Sequence, residues 1–356
     1  MQIGLMMECD YRAGRTQHEA FDEAFMMAAT AEMAGFDGVW LAERHFAPPG
    51  GTGPIPSVSA APIVWASAIA ARTSRLRVGT AVLILPLGHP VRMAEEIATL
   101  DHISQGRVDL GIGRSSFPRS YEGYDIPYAE SRVRFEEFLQ IMRLAFTEEC
   151  FSYSGKYYTF RDVYLVPKPY QQPHPPLRAA VTTRDTFGVM GRLGLPIFAS
   201  LGAAVVEDIE EALEDYRQAW REAGHAGAGD VVLRLPIYVA QTREQALTAP
   251  RDSVMHHYTR LQQAFLRSAA STEGEARATR AARLATLTYE DVVQERVVFG
   301  TPEQVTARLR ALQERLGLSG LIMESNVGGR IPAEDVVRSV QLFGKAVLPA
   351  LQSSLA

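Results

Sequence analysis

Two cysteines in 356 residues, Cys9 and Cys150, are too few for a disulfide framework or a cysteine-type zinc site. That scarcity fits a reducing compartment. Charge of one sign is missing too: 36 Lys and Arg against 41 Asp and Glu leave a net charge of −5. With no basic run interleaved with aromatics, neither nucleic acid nor an anionic membrane surface is an expected partner. No apolar run approaches the roughly 20 residues that span a bilayer. The opening MQIGLMM has no basic segment ahead of a long apolar one, which argues against a secretory leader. A cytoplasmic protein is expected. Nucleophile-elbow and phosphate-loop motifs are also absent. Gly111-Ile112-Gly113 lacks the third glycine of a dinucleotide fingerprint, and His256-His257 lacks metalloprotease spacing, so no metal is expected.

What the chain has is a repeated strand–helix pattern. From Leu76 to Arg114 it reads as an apolar strand (Arg77 to Leu85), a turn with Pro86, Gly88 and Pro90, and a helix from Val91 to about Ser104 closing at Gly106. A second strand, Arg107 to Ile112, then delivers Arg114 at its end. This length and order make one parallel βαβ unit. Further strands are expected at Gln2 to Met7, Asp37 to Leu41, Leu177 to Val181, Pro196 to Ser200, Val231 to Ala240 and Leu318 to Glu324, with helices between them. Eight strands alternating with helices predict an α/β (β/α)8 TIM barrel, in one domain over residues 1–356. Insertions are expected after strands two, four and seven. The first is the Gly/Pro loop Ala47 to Pro56, and the second includes a short hairpin and a proline-rich crossing between Phe151 and Pro176. The third, from about Ser271 to Glu295, is polar, alanine-rich and weakly periodic, and is expected to form a mobile or partly helical lid.

In such a barrel the C-terminal strand ends carry the site. They offer Glu8, then Glu43-Arg44-His45, Leu85 to His89, Arg114, the threonines Thr182, Thr183 and Thr186, Ser200, and Glu324 to Gly329. A guanidinium fork with hydroxyls at a helix start suits a phosphate. The threonines alone also suit helix capping, and Arg114 alone a salt bridge; their shared face favours the anion. His45 is a general base, a hydrogen-bond donor or a satisfied core histidine. Glu43 is expected to orient Arg44 or His45.

The stretches GFDGVWLAERHF (Gly35 to Phe46), LRVGTAVLILPLGHPVRMAEEIATLD (Leu76 to Asp101), GRVDLGIGR (Gly106 to Arg114), PHPPL (Pro173 to Leu177), GLP (Gly194 to Pro196), FGTPEQV (Phe299 to Val305) and ESNVGG (Glu324 to Gly329) resemble the bacterial luciferase-like flavin monooxygenases, from end to end. The resemblance implies a barrel that binds reduced FMN (FMNH2) and activates O2 as a flavin C4a-peroxide to oxidise an organic small molecule. A separate NAD(P)H:flavin reductase would be the partner. It places the FMN phosphate on Arg114, Arg132, Thr183 and Thr186, and a non-proline cis peptide at Ala81-Val82 against the flavin ring. It also supports a homodimer through the first-half helices, where AAPIVWASAIAA (Ala60 to Ala71, with Trp65) is strongly apolar. Arg44 departs from the luciferase alpha subunit, which has the first of two histidines there. Arg does not serve as a base near neutrality. The resemblance therefore leaves proton transfer to His45 or to a group of the substrate, or else has Arg44 stabilise the anionic reduced flavin or peroxide instead. A deazaflavin F420-dependent oxidoreductase and a non-catalytic flavin-binding subunit are the competing readings on the same barrel.

Overall fold

The computed structural model describes residues 1–47, 56–268 and 274–352. In chain order the first elements are β1 (Gln2–Met7), α1 (Gln17–Ala34), β2 (Gly38–Leu41), α2 (Pro62–Ala70), β3 (Arg77–Ile84), α3 (Pro90–Ser104), β4 (Val108–Gly113), α4 (Pro118–Gly123) and α5 (Ser131–Thr147). The hairpin β5 (Phe151–Ser154) and β6 (Thr159–Val163) follows, then β7 (Leu177–Val181), α6 (Arg184–Arg192), β8 (Ile197–Ser200), α7 (Val206–Glu222) and β9 (Val231–Val239). The last stretch holds α8 (Arg243–Thr248), α9 (Arg251–Ser268), α10 (Gly274–Ala285), α11 (Tyr289–Glu295), β10 (Val298–Gly300), α12 (Pro302–Leu316), β11 (Gly320–Glu324), α13 (Ala333–Leu342) and α14 (Leu348–Gln352).

β1, β2, β3, β4, β7, β8, β9 and β11 pair in parallel, and β9 closes the ring by pairing with both β8 and β11. This is the (β/α)8 barrel expected from the sequence. Its strands are buried along almost their whole length, because the helices cover the outside and side chains fill the inside. Met6, Trp40, Ala42, Phe198, Val232 and Ile322 form the inner cluster beneath the mouth, with Ala81 and Val82 packed against it. The Ala81-Val82 peptide is cis.

Local chemistry sets the element ends. α1 starts with a capping box between Thr16 and Glu19, and Gly35 ends it in the left-handed conformation. α3 closes at Gln105, which takes the left-handed cap one residue before the expected Gly106. β10 is an unexpected strand that extends β9, pairing Val298 with Ile237. At three residues it carries too little pattern to read. Residues 48–55 of the expected Gly/Pro loop and residues 271–273 of the expected lid lie outside the described residues.

The described part of the third insertion is helical and docked. Arg277, Ala281 and Leu284 recur at helical spacing and are buried, Arg277 to 2% exposure. Leu284 joins Val254, Tyr258, Tyr289, Val292, Val297, Ala203 and Val327 in a second apolar cluster over the mouth. The stripe escapes a hydropathy reading because one of its three members is an arginine and another an alanine.

Candidate active site

At the mouth, serines fix where the chain leaves β1 and β2. The Ser57 hydroxyl donates to the Glu8 carbonyl at 2.6 Å and the Ser59 hydroxyl to the Ala42 carbonyl at 2.6 Å. This presents Glu43, Arg44 and His45 to three different partners. Arg44 forks onto Glu8, with Nε to Oε2 at 2.8 Å and Nη2 to Oε1 at 2.9 Å. Glu8 also accepts from Arg234 at 2.5 Å, and Arg234 reaches Glu324 at 2.9 Å. The result is an alternating chain of two guanidiniums and two carboxylates across the ends of β1, β2, β9 and β11. Burial works against ionisation of Glu8, but Arg44 and Arg234 outweigh it and hold the carboxyl below the usual carboxylate range. Arg44 is thus a paired cation, turned to Glu8 and lying 5.9 Å from the centroid of the Phe117 ring.

Asp10 has the opposite fate. Burial, with the nearby charge of Glu8, pushes its carboxyl up to about 8 against the pull of Arg12. The Asn326 amide donates to it at 3.1 Å.

Glu43 serves His45, one of the two partners expected for it. His45 Nε2 lies 2.8 Å from Glu43 Oε1, and Oε2 accepts from the Ile84 backbone N–H at 2.7 Å. His45 Nδ1 lies 3.4 Å from the Tyr124 hydroxyl. Both ring nitrogens are therefore engaged, and the side chain is only 3% exposed.

The expected anion residues come from neighbouring strands. β4 pairs β7 with Ile112 opposite Ala179, so Arg114 leaves the barrel level with Val181, two residues before Thr183. The Arg114 guanidinium meets the Ser131 hydroxyl at 3.2 Å, and among the described residues no carboxylate lies within ion-pair distance of it. Ser131 is buried in the first turn of α5, while the expected Arg132 is exposed beside it. Thr183 is the N-cap of α6, yet its hydroxyl makes no capping bond and lies 2.7 Å from that of Thr186. The capping reading of Thr183 thus loses its hydrogen bond. A Cβ at Gly113 would fall 2.6 Å from Val82, so glycine keeps the space open where the cis peptide meets the end of β4. A guanidinium without a carboxylate partner, three hydroxyls and a helix start form a donor set that fits a phosphate dianion. Residues able to hold a phosphorylated cofactor are thus present.

Other histidines are structural. His89 caps α3 by accepting from the Arg92 N–H, while His102, His174 and His225 lie against backbone carbonyls. His257, set aside in the sequence for want of metalloprotease spacing, is different. Gly328, at φ +88°, lets α9 press onto the loop after β11, since a Cβ there would fall 1.9 Å from the Ser253 carbonyl oxygen. The Ser253 hydroxyl in turn donates to the Val327 carbonyl at 2.6 Å. One turn along the same face, His257 stands in the field of the Arg44–Glu8–Arg234–Glu324 chain. Burial pushes its pKa down, Arg234 and Arg44 adding to the shift while Glu324 and Glu8 oppose it. Arg234 was missed. Its one visible signal is an arginine inside the apolar run VVLRLPIYV.

A closed parallel barrel whose strand ends carry a network of guanidiniums and carboxylates beneath a helical cover has the architecture of the α/β-barrel enzymes. The sequence model for luciferase-like monooxygenases matches residues 1–319, and the chain belongs to that family. It is an oxidoreductase of the monooxygenase class. Over 210 residues it is 30% identical to an alkanal monooxygenase alpha chain from Photorhabdus luminescens, covering 59% of this chain and 56% of that one. Over 252 residues it is 26% identical to the oxygenase component of a flavin-dependent trigonelline monooxygenase from Acinetobacter baylyi, covering 68% and 66%. The matched segments thus span less than two thirds of these two relatives. The barrel superposes with a TM-score of 0.80 on the oxygenating constituent of 3,6-diketocamphane monooxygenase from Pseudomonas putida, solved with FMN, at 22% identity and 98% coverage of each chain.

Proposed function

We propose that the chain is the oxygenase component of a two-component system, binding FMNH2 and using O2 to oxidise an organic small molecule, with a separate NAD(P)H:flavin reductase as partner. The observation that carries this reading is Arg114, a guanidinium without a carboxylate partner beside Ser131, Thr183 and Thr186. Reduced flavin supplies the electrons for oxygen activation, a task no amino-acid side chain performs. Arg114 and the Thr183 and Thr186 hydroxyls hold the phosphate, with Ser131 in the place nearest Arg114 and Arg132 at its rim. Ala81 and Val82 line the space for the ring. Arg44, tied to Glu8, contributes a fixed field, and His45 handles the proton. The described part of the third insertion, residues 274–295, is the lid that keeps water from the reacting centre. The monooxygenase relatives and the FMN complex on the same fold support this reading.

Titration of the chain with FMN and with F420, followed by oxygen consumption with photoreduced FMN over aldehydes, ketones and aromatic amides, tests it. Binding of FMN, with consumption and oxygenated product on one substrate class, is the expected result. Tight binding of F420 in its place would assign the chain to the deazaflavin enzymes. FMN binding without turnover on any class would favour a non-catalytic subunit.

A further inference from the structure

We propose that Tyr124, His45 and Glu43 form a proton relay in which the Tyr124 phenol, and not the imidazole, meets the reactant. It rests on the site proposed above for the reactant's identity and on the geometry here for the relay itself.

The direction of the relay follows from the hydrogen bonds. Glu43 accepts at both oxygens, from the Ile84 N–H and from His45. An ionised carboxylate only accepts, so this network assigns the neutral ring hydrogen of His45 to Nε2. Nδ1 is then an acceptor, and the Tyr124 hydroxyl at 3.4 Å is its donor. That separation is long for a hydrogen bond, as catalytic contacts are before a site fills. The rings meet edge to face with centroids 5.1 Å apart, which holds the phenol on the imidazole edge.

Exposure decides which group meets the reactant. The His45 side chain is buried, 3% exposed, whereas Tyr124, at the C-terminal end of α4, is an exposed residue. Its segment starts at Arg114 and lies against Arg44 through Phe117. The lid holds it from above, where Arg277 donates to the Ser116 carbonyl at 2.9 Å and to the Tyr128 hydroxyl at 3.1 Å. The segment that carries the phenol is thus anchored on both sides of Tyr124, at Phe117 and at Tyr128. Among the described residues the titratable group facing the pair is Glu43 from the end of β2, while the Tyr121 hydroxyl is turned onto the Arg114 carbonyl and Arg44 onto Glu8.

The proton step balances without change of oxidation state. A proton from the reactant bonds to the Tyr124 oxygen as the phenolic O–H breaks and its hydrogen bonds to Nδ1. The imidazolium so formed is held at Nε2–H by the Glu43 carboxylate. The reverse step returns the proton. The same logic of acceptor, imidazole and orienting carboxylate operates in hydrolase triads on unrelated folds.

Three variants test the relay: Tyr124→Phe, His45→Gln, and 3-fluorotyrosine placed at position 124. In the resting chain with 15N-labelled histidine, Tyr124→Phe should move the Nδ1 resonance of His45 toward that of an unbonded ring nitrogen. With photoreduced FMN and oxygen, hydrogen peroxide release is followed across pH. Tyr124→Phe and His45→Gln should each lose about 10²-fold of the rate and flatten the pH limb. Fluorotyrosine, a more acidic phenol of nearly the same shape, should keep the rate and move the limb to lower pH. A packing role for Tyr124 predicts an unmoved limb with fluorotyrosine, and that result overturns the relay. An unchanged Nδ1 resonance in Tyr124→Phe overturns it too. Failure of the parent chain to bind FMN would sink the cofactor assignment alone, leaving the resonance to decide the relay.

Discussion

Arg114 shows how a residue declares a function by what it lacks. Arg44, Arg178, Arg184 and Arg234 are each answered by carboxylates, whereas Arg114 touches a hydroxyl. Removing a charge-assisted contact to phosphate costs about 1.5 to 3 kcal/mol, so Arg114→Ala should weaken FMN binding roughly tenfold to a hundredfold. Fluorescence titration measures it, and unchanged affinity would remove Arg114 from the site. Asp10 gives a second residue-scale prediction. Its folded pKa, about 8, lies above its ordinary value of 3.8. The folded chain thus keeps this proton longer, and the group's contribution to stability is whole below pH 3.8 and lost as pH rises toward 8. Asp10→Asn should gain stability relative to the parent between pH 5 and pH 8 in urea unfolding; a constant difference between the two chains would refute the assignment. At this scale the sequence told unevenly. Arg114, Thr183 and His45 could be found because they follow readable strands. Ser131, Arg234 and Tyr124 could not, since each acts through a neighbour away in sequence: Ser131 through Arg114, Arg234 through Glu8 and Glu324, Tyr124 through His45; and His257 was visible only as a metal candidate to set aside.

At the scale of elements, the strands and the central βαβ unit were legible because apolar runs and turn residues alternate clearly. The lid was legible only as a mobile or partly helical segment, because α10 buries Arg277 and Ala281 beside Leu284, and that stripe does not read as apolar. Deleting residues 271–295 would strip the cover from Val254, Tyr258 and Val327, so the sharper probe of the lid is Arg277→Ala. That change removes the bonds of Arg277 to the Ser116 carbonyl and the Tyr128 hydroxyl, in the segment after β4, and touches none of Arg114, Ser131, Thr183 and Thr186. Amide exchange along α10 should accelerate, by the tenfold or so that one to two lost hydrogen bonds imply. FMN affinity should hold within about twofold, while a larger share of consumed oxygen leaves as hydrogen peroxide. Unchanged exchange and full coupling would mean that α10 is held elsewhere and does not shield the site.

The scale of the whole molecule concerns what covers α1 and α2. The apolar run Ala60 to Ala71 suggests a surface for a second copy, but its largest side chain is spent within the chain. Trp65 is buried, stacked on Phe21 at 4.4 Å, and donates its indole N–H to the Val58 carbonyl at 3.1 Å. What remains outside is Val64 at 68% exposure and Met33 at 78%, with Phe21 and Met26 partly open on α1. Large apolar side chains are costly to leave in water, and a patch of them is the usual mark of an interface. A homodimer through these helices would meet Val64 and Met33, and not Trp65. Because Val64 points away from the barrel, Val64→Glu should leave the fold and its stability almost unchanged while placing a charge in the contact core. Light scattering should give the parent chain twice its 39.2 kDa at micromolar concentration, and Val64→Glu the single-chain mass. Trp65→Ala should behave otherwise: it opens a cavity under Phe21 and costs about 3 to 5 kcal/mol of folding stability wherever the dimer contact lies. A parent chain that stays at 39.2 kDa would end the dimer proposal, and a Val64→Glu chain that still doubles would move the contact to another face.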